Sequence, residues 1–517
     1  MRLRLRIALV FLLPLFLRAW VSSAALADES PPSLPLPAQT PPPTAACDPP
    51  AAEPKASAKG PGAGEIGEPG EAKGSSGEEP AATGSGNSLQ PRFNMSEGFV
   101  AETPDGAFRY HIGGRFDWDS GWYRAPQNIQ QSLDNPLLDG TDLRRFRLAV
   151  DGTVWQNVDF KLEADFSKAS DFKDFQATPQ TNIFITDAWI ALRDLPVLDT
   201  VKLGHQKEYL TFSNGTSANS LPFMERPYIY DAFQNNFSWD SGVSTSRTYF
   251  DKHMTSWVGF FWNGTQSEAF NAGGHYALSG RLTVLPVYDE DRHLWVNLGV
   301  AGSVRSFGPN DPNDVTVRPL VRTGESFNVP DLIDTGTLLS HDGLQILGAD
   351  VQSAWGPLTV GGEFLCWFIN NAYTGNLPNP NGILPPGAES VGNLFFSGFS
   401  VEALYFLTPG DHRDIDRVTP GYARVRPVRN FLCLRHGDGP CCKGLGAWEV
   451  GVRYDHVDVN SGLIQAGRLD SVTCGVNWYL NPNTRITANY VYTNRDTGNP
   501  SSSGNFDAFG VRVHFDF

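Results

Sequence analysis

Between Val158 and Phe166 the chain alternates without interruption: Val158, Phe160, Leu162, Ala164 and Phe166 are apolar, and Asp159, Lys161, Glu163 and Asp165 between them are charged. Successive side chains of a strand point to opposite faces, so this run sets a fully charged face against a fully apolar one. The division recurs along the chain. Phe146, Leu148 and Val150 alternate with Arg145, Arg147 and Asp151, and Leu294, Val296, Leu298 and Val300 oppose Trp295 and Asn297. Trp448, Val450, Val452 and Tyr454 oppose Glu449, Arg453 and Asp455. Val472, Cys474, Val476, Trp478 and Leu480 oppose Thr473, Gly475 and Asn477, and Ile486, Ala488, Tyr490 and Tyr492 oppose Arg485, Thr487 and Asn489. A half-buried sheet in a water-soluble protein also has a polar face. What distinguishes this chain is the charge density on that face, opposite an unbroken apolar face, in strand after strand.

Beyond the N-terminal segment no stretch approaches the ~18 continuous apolar residues that a spanning helix needs. A chain of this kind can cross a membrane only as a closed barrel, because closure alone pairs every backbone N–H and C=O in hydrocarbon. The expected fold is therefore all-β, a closed antiparallel transmembrane β-barrel over residues 92–517, with strands of about 9–11 residues and aromatic ends. Pro104-Asp105-Gly106 and Asn481-Pro482-Asn483 read as tight connectors, and 306–337 and 372–391 as long surface loops. The last strand is the sharpest case: Phe509, Val511, Val513, Phe515 and Phe517 alternate with Gly510, Arg512, His514 and Asp516, and the chain stops on Phe517. Those five apolar residues look like the signal by which outer-membrane barrels are recognised for assembly.

The N-terminal segments are of another kind. Arg2, Arg4 and Arg6 precede an apolar run over 7–17, and Ser-Ala-Ala-Leu-Ala ends at Ala27, the pattern of a cleavable signal peptide over 1–27. Residues 28–91 are dense in Pro, Ala, Gly, Ser and Glu and contain no aromatic residue, so they cannot bury enough apolar surface to fold. They read as a disordered periplasmic spacer. Of the formal charge of −16, residues 1–27 carry +4 and 28–91 carry −6, which leaves −14 on 92–517. That balance excludes a nucleic-acid binder and runs against a simple anion channel. Of the six cysteines, Cys366 and Cys474 sit inside strand patterns. Cys433, Cys441 and Cys442 cluster in one loop, where a disulfide is plausible in an oxidising compartment and standard zinc spacing is lacking. Alternating strand carboxylates supply no singular catalytic pair, and neither an enzyme nor a cofactor or metal is expected.

Several motifs resemble the phosphate-selective porin O and P family. Gly113-Gly114-Arg115-Phe116-Asp117 is similar to its opening strand, and Leu143-Arg144-Arg145-Phe146-Arg147-Leu148 through Asp159-Phe160-Lys161-Leu162-Glu163 to its arginine-rich hairpin. Val201-Lys202-Leu203-Gly204-His205-Gln206-Lys207-Glu208 followed by Phe223-Met224-Glu225-Arg226 resembles the family's central region, with His205-Gln206 in place of a Gln-aromatic pair. Gly446-Ala447-Trp448-Glu449, Asn477-Trp478-Tyr479-Leu480-Asn481-Pro482-Asn483-Thr484 and Asp507-Ala508-Phe509-Gly510 add to it. The resemblance implies a sixteen-stranded barrel in the outer membrane of a Gram-negative-type bacterium, usually a homotrimer, with one loop folded inward. It implies a water-filled channel for passive diffusion of small ions and solutes, anions or phosphate among them; a non-conducting structural or wall-tethering barrel is the alternative. Expected partners are outer-membrane lipid, solutes in transit and the barrel assembly machinery. Arg115, Arg145, Arg147, Lys161, Arg281, Arg453, Arg485 and Arg512 lie on the face opposite the apolar one. They are the candidates for a pore-lining anion track, each with the competing role of pairing with a carboxylate such as Asp151, Asp159, Glu163, Asp165 or Asp455. The inward loop is expected near 167–182, which holds Lys168 and Lys173 together with Asp171 and Asp174.

Overall fold

A computed structural model describes residues 89–94, 98–167, 183–263, 275–306, 313–324, 329–340, 342–375, 387–431 and 444–517. The proposed signal segment, nearly all of the spacer, Lys168 and Lys173, and Cys433, Cys441 and Cys442 lie outside these residues. Sixteen strands pair in sequence order: β1 (Phe108–Arg124), β2 (Gly140–Val154), β3 (Val158–Asp165), β4 (Phe184–Leu195), β5 (Asp199–Lys207), β6 (Trp239–Tyr249), β7 (Met254–Asn263) and β8 (His275–Asp289). They continue as β9 (Leu294–Arg305), β10 (Leu344–Trp355), β11 (Leu358–Thr374), β12 (Glu389–Phe406), β13 (Ala447–Ser461), β14 (Ile464–Asn481), β15 (Thr484–Asp496) and β16 (Gly504–Asp516). Every pair is antiparallel, and β16 closes on β1 from Asp507 opposite Arg124 to Asp516 opposite Arg115. The sheet has no free edge along that seam, which is what hydrocarbon requires. A short hairpin, Gln90–Asn94 with Gly98–Glu102, pairs with the start of β1 below the point where β16 ends.

The alternation read from sequence fixes which face goes where, and it is the inverse of a soluble sheet. Phe146, Leu148 and Leu162 are exposed on the outside, as are Phe509, Phe515 and Phe517 of the last strand, while Arg145, Glu163, Asp165, Arg453, Asp455 and Arg512 are buried inside. Turning one strand over by a one-residue slip would put these charges into lipid, at roughly 2–4 kcal/mol for each Arg near the midplane. Outward aromatics gather near both rims: Trp122 stacks on Phe509 at one, with ring centroids 5.7 Å apart, and Trp448 on Trp478 at the other, 5.0 Å apart. Many strands run beyond the expected 9–11 residues, up to 18 in β12 and β14. Pro286 of β8, which lacks an N–H, falls where the register with β9 shifts between Val284 and Val287.

Connections at the two rims differ. One rim carries tight turns, including 482–483, where the backbone N–H of Asn483 donates to the Asn481 side chain at 2.8 Å. Such turns face the periplasm in barrels of this kind, and longer loops face outward. The connection from β12 to β13, over 407–446, is an exception on the turn rim. It is long, and its described part folds back into the barrel.

Residues 306–337 are not a surface loop. Val315, Val317, Leu320, Val321, Leu332 and Ile333 are fully buried in the lumen, packed on Ile129 of α1 (Gln127–Ser132) and on Tyr228, Ile229 and Phe233 of α3 (Tyr228–Phe233). The wall meets them with Leu344, Ile346, Trp367, Phe396, Val457 and Leu469. Inward-facing residues thus change from charged to apolar at the outer ends of β10–β16. The polar flanks of 306–337 hid an apolar centre that packs against α1, α3 and the inner wall.

Candidate functional site

A loop folded into the lumen is 208–238, between β5 and β6; the segment expected to fold inward, 167–182, lies outside the described residues beyond Ser167. The sequence of 208–238 folds that way because each end is tied to a buried charge. Glu208, fully buried, pairs with Arg305 and accepts from Ser279; Asp240 just beyond the loop takes the other arm of Arg305 at 3.3 Å. Within the loop, α2 (Phe212–Gly215) is capped by Thr211, whose hydroxyl accepts the Asn214 N–H. Glu363 of β11 accepts from the backbone N–H and hydroxyl of Ser213 at 3.1 Å each.

The Phe-Met-Glu-Arg stretch, 223–226, is the loop's dock on the far wall. A Cβ on Gly475 would sit 2.9 Å from the Phe223 ring, and one on Gly510 would sit 2.8 Å from the Met224 sulfur, so the loop comes as close as glycine permits. Glu225 receives Arg144 with both oxygens, at 2.9 and 3.0 Å, and Arg512 at 2.9 Å, with Arg145 3.9 Å away. Arg226 turns back into its own loop, donating to the carbonyls of Ser213 and Thr216 at 2.9 Å each.

Between this loop and strands β1–β6 lies an open cavity of about 320 Å³. Its cationic lining comprises Arg115, Arg144, Arg145, Arg147, Lys161, Lys202, Lys207, Arg226 and Arg322; its carboxylates are Glu163, Asp187, Glu225 and Asp231. Nine cations face four carboxylates, a local excess of five positive charges inside a barrel whose formal charge is −14. Exposed acidic residues more than about a Debye length away are screened, whereas buried Asp117 and Asp165, bonded to Arg145 and Arg147 behind the lining, offset part of that excess.

The eight sequence-derived candidates divide by position. Arg115, Arg145, Arg147 and Lys161 line the cavity while also holding carboxylates: Arg147 binds Asp165 at 2.6 Å and Glu163 at 3.0 Å, and Lys161 lies 3.0 Å from both Glu163 and Asp187. Arg145 holds Asp117 at 3.1 Å, and Arg115 lies 3.7 Å from Glu163. Arg281 faces a smaller neighbouring cavity of about 60 Å³ and pairs with Asp350 at 2.6 Å. Arg453, Arg485 and Arg512 are buried beneath the loop and hold it: Arg453 donates to the Glu225 carbonyl at 3.0 Å, Arg485 to that of Leu221 at 2.7 Å, and Arg512 grips Asp119 and Glu225. Of the competing partners, Glu163, Asp165 and Asp455 are used in this way.

Sequence reasoning passed over Lys202 and Lys207, although both were in view within the family-like Val201–Glu208 string. Strict alternation would set them on opposite faces, five residues apart, but both line the cavity, with Gly204 at a φ of 124° between them. Lys202 Nζ lies 4.2 Å from the Trp189 ring centroid and Lys207 Nζ 5.5 Å from that of Trp239. Neither is within ion-pair distance of a carboxylate among the described residues, so both amino groups face the cavity without a carboxylate partner. Arg322, from 306–343, pairs with Asp231 at 2.7 Å and could not be placed in the lumen while its segment was read as a surface loop.

Comparison with known proteins agrees with this architecture. The sequence model of the family described as phosphate-selective porin O and P matches residues 111–517. An uncharacterized protein of Caulobacter vibrioides is 26% identical over 425 residues, covering 78% of this chain and 73% of its own length. Porin O of Pseudomonas aeruginosa is 22% identical over 456 residues, covering 81% and 91%. Among solved structures, the outer-membrane channel DcaP of Acinetobacter baumannii aligns with a TM-score of 0.46 at 11% identity, over 80% of this chain and 99% of that one. With a family match over most of its length and a closed sixteen-stranded barrel around a narrowed lumen, this chain belongs to the phosphate-selective porin O and P family of outer-membrane channels.

Proposed function

We propose that the protein is an anion-preferring passive pore whose selectivity is set by the cavity between β1–β6 and the inward loop. The observation that carries this reading is the excess of nine cations over four carboxylates around one open space. An anion entering that space replaces part of its hydration shell with Lys and Arg donors. Successive partly neutralised sites hold it weakly enough to release it. Arg115, Arg145, Arg147 and Lys161 form the upstream part of the track, joined by Lys202 and Lys207, and Arg281 continues it toward the periplasm. Arginine's planar fork suits oxyanions such as phosphate, and the two lysines act as mobile point charges. We read the protein as a channel rather than an enzyme, in keeping with its family, and as a homotrimer in outer-membrane lipid. We further read residues 1–27 as a signal peptide, 28–91 as a periplasmic spacer, and Phe509, Val511, Val513, Phe515 and Phe517 as the face read by the assembly machinery.

The test is the zero-current potential of the purified protein in a planar bilayer under a KCl gradient, followed by addition of phosphate. An anion-selective potential, with chloride current reduced by phosphate, is expected. A cation-selective or neutral pore would overturn the reading, and a barrel with no conductance would favour the structural alternative.

A further inference from the structure

The inward-folded periplasmic connection enters the barrel beside the turn between β8 and β9, and at that junction three side chains from separate places converge. His293 comes from the turn, and His412 and Asp414 from the connection. One ligand-capable atom from each lies within 4.8 Å of the other two. The imidazoles lie face to face, with centroids 3.5 Å apart and planes 16° from parallel.

The hydrogen bonding of His412 identifies what the cluster lacks. Its Nδ1 lies 3.0 Å from the Gly410 carbonyl, which can only accept, so Nδ1 carries the proton. In the neutral ring Nε2 is then a bare lone pair, and it faces Asp414 Oδ2 at 3.3 Å. Two acceptors at that distance repel, so the contact calls for either a proton, which makes His412 an imidazolium paired with Asp414, or a metal ion between them. The Nδ1–carbonyl contact is also the arrangement by which proteins orient a metal-binding histidine. Neither ring nitrogen of His293 has a hydrogen-bond partner among the described residues, so that ring can swing out of the stack to supply a third ligand. The Asp414 side chain is 53% exposed, which leaves an open side for water.

We propose that His293, His412 and Asp414 form a binding site for a divalent transition metal of the zinc class. Two imidazoles and a carboxylate suit such borderline ions, and three protein ligands plus water match an open tetrahedral site. Binding splays the two stacked rings around the ion. The site would clip the connection to the barrel wall at its entry point. Arg413, between the two ligands, is already anchored there: its carbonyl accepts the Trp295 indole N–H at 2.9 Å and its guanidinium grips Glu449. The hairpin that follows, Ile415–Asp416 with Gly421–Tyr422, carries Val418 and Pro420 into the exit cavity of about 60 Å³. The metal therefore holds the base of the element that narrows the periplasmic exit.

The test uses the full chain in detergent, metal-stripped and with its thiols alkylated so that cysteines cannot compete. Co²⁺ titration is followed by its visible d–d bands, and Zn²⁺ binding by calorimetry. The expected result is one ion per chain, with affinity at least tenfold lower in His293→Asn, His412→Ala and Asp414→Asn. Asn at 293 tolerates the left-handed φ of 49° there, and heat-modifiable gel mobility confirms that each variant is a folded barrel. Absence of binding to the wild type, a site that takes up only a proton, or affinity unchanged in folded His293→Asn would each overturn the proposal.

Discussion

Reversing the charge of Lys207 is the most direct probe of the lumenal field. Lys207 is preferable to Arg147, whose loss would leave Asp165 and Glu163 without their partner and change two things at once. A sphere of the cavity's 320 Å³ has a radius of about 4 Å, so a charge on the wall sits at about that distance from an ion at the centre. One elementary charge there contributes about 1 kcal/mol in a water-like dielectric, and about 0.7 kcal/mol after screening at 0.1 M salt. Lys207→Glu changes the wall by two charges, lowering the local excess from five to three and costing an anion about 1.4 kcal/mol. That is about tenfold in anion occupancy, with the opposite change for a cation. The chloride-to-potassium permeability ratio, from reversal potentials in a planar bilayer, is therefore expected to fall by at least about tenfold. Lys207→Gln should produce about half the logarithmic change. A Lys207→Glu pore that opens normally and keeps its permeability ratio within about twofold would refute the claim that this cavity sets selectivity.

Glu225→Gln removes the carboxylate that gathers Arg144, Arg512 and Arg145, and should destabilise the loop by about 3–5 kcal/mol; lower thermal stability and noisier single-channel current are the readouts. Arg413→Met leaves Glu449 buried with only Asn477 and Tyr479, at a similar cost of about 3–5 kcal/mol, and should speed protease cleavage within 407–431. Gly475→Ala should cost about 1–3 kcal/mol because its new methyl meets the wall of the Phe223 ring, whereas Gly510→Ala meets the pliant Met224 thioether and should cost less. With water-accessible thiols blocked, a lipid-soluble maleimide should label Cys474, which is exposed on the outer face, faster than Cys366, which its neighbours cover; equal rates would contradict the burial of Cys366.

The wall of the barrel was legible because one rule, alternation, governs both local geometry and solvent. A run such as Val158–Asp165 can satisfy lipid and water together only in one register. The site was half legible for the same reason. The rule places Arg145 and Arg147 inside, but it does not separate an inward charge that meets solute from one covered by a loop, and Arg453 and Arg512 are of the second kind. That distinction depends on contacts between residues hundreds of positions apart, such as Arg512 with Glu225, which carry no local period. The apolar centre of 306–343 was lost for a related reason: Val315, Val317, Leu320 and Val321 are interspersed with Asp and Arg residues and follow neither a strand nor a helix pattern. The lack of aromatics over 28–91 set that stretch apart from the aromatic-rich residues that follow, since aromatic side chains are what the rims of a barrel use.

The apolar core inside the outer half of this barrel separates two quantities that are usually taken to travel together. Strand number sets the girth of the cylinder. Its bore is set by how deeply segments such as 208–238 and 306–343 are seated, and on the β10–β16 side they occupy the lumen with a core of the kind found in a small soluble domain. The conduit is therefore eccentric, pressed against β1–β6. Its calibre can be retuned during evolution by repacking a few dozen lumenal residues, while the lipid-facing surface, on which insertion depends, stays as it is.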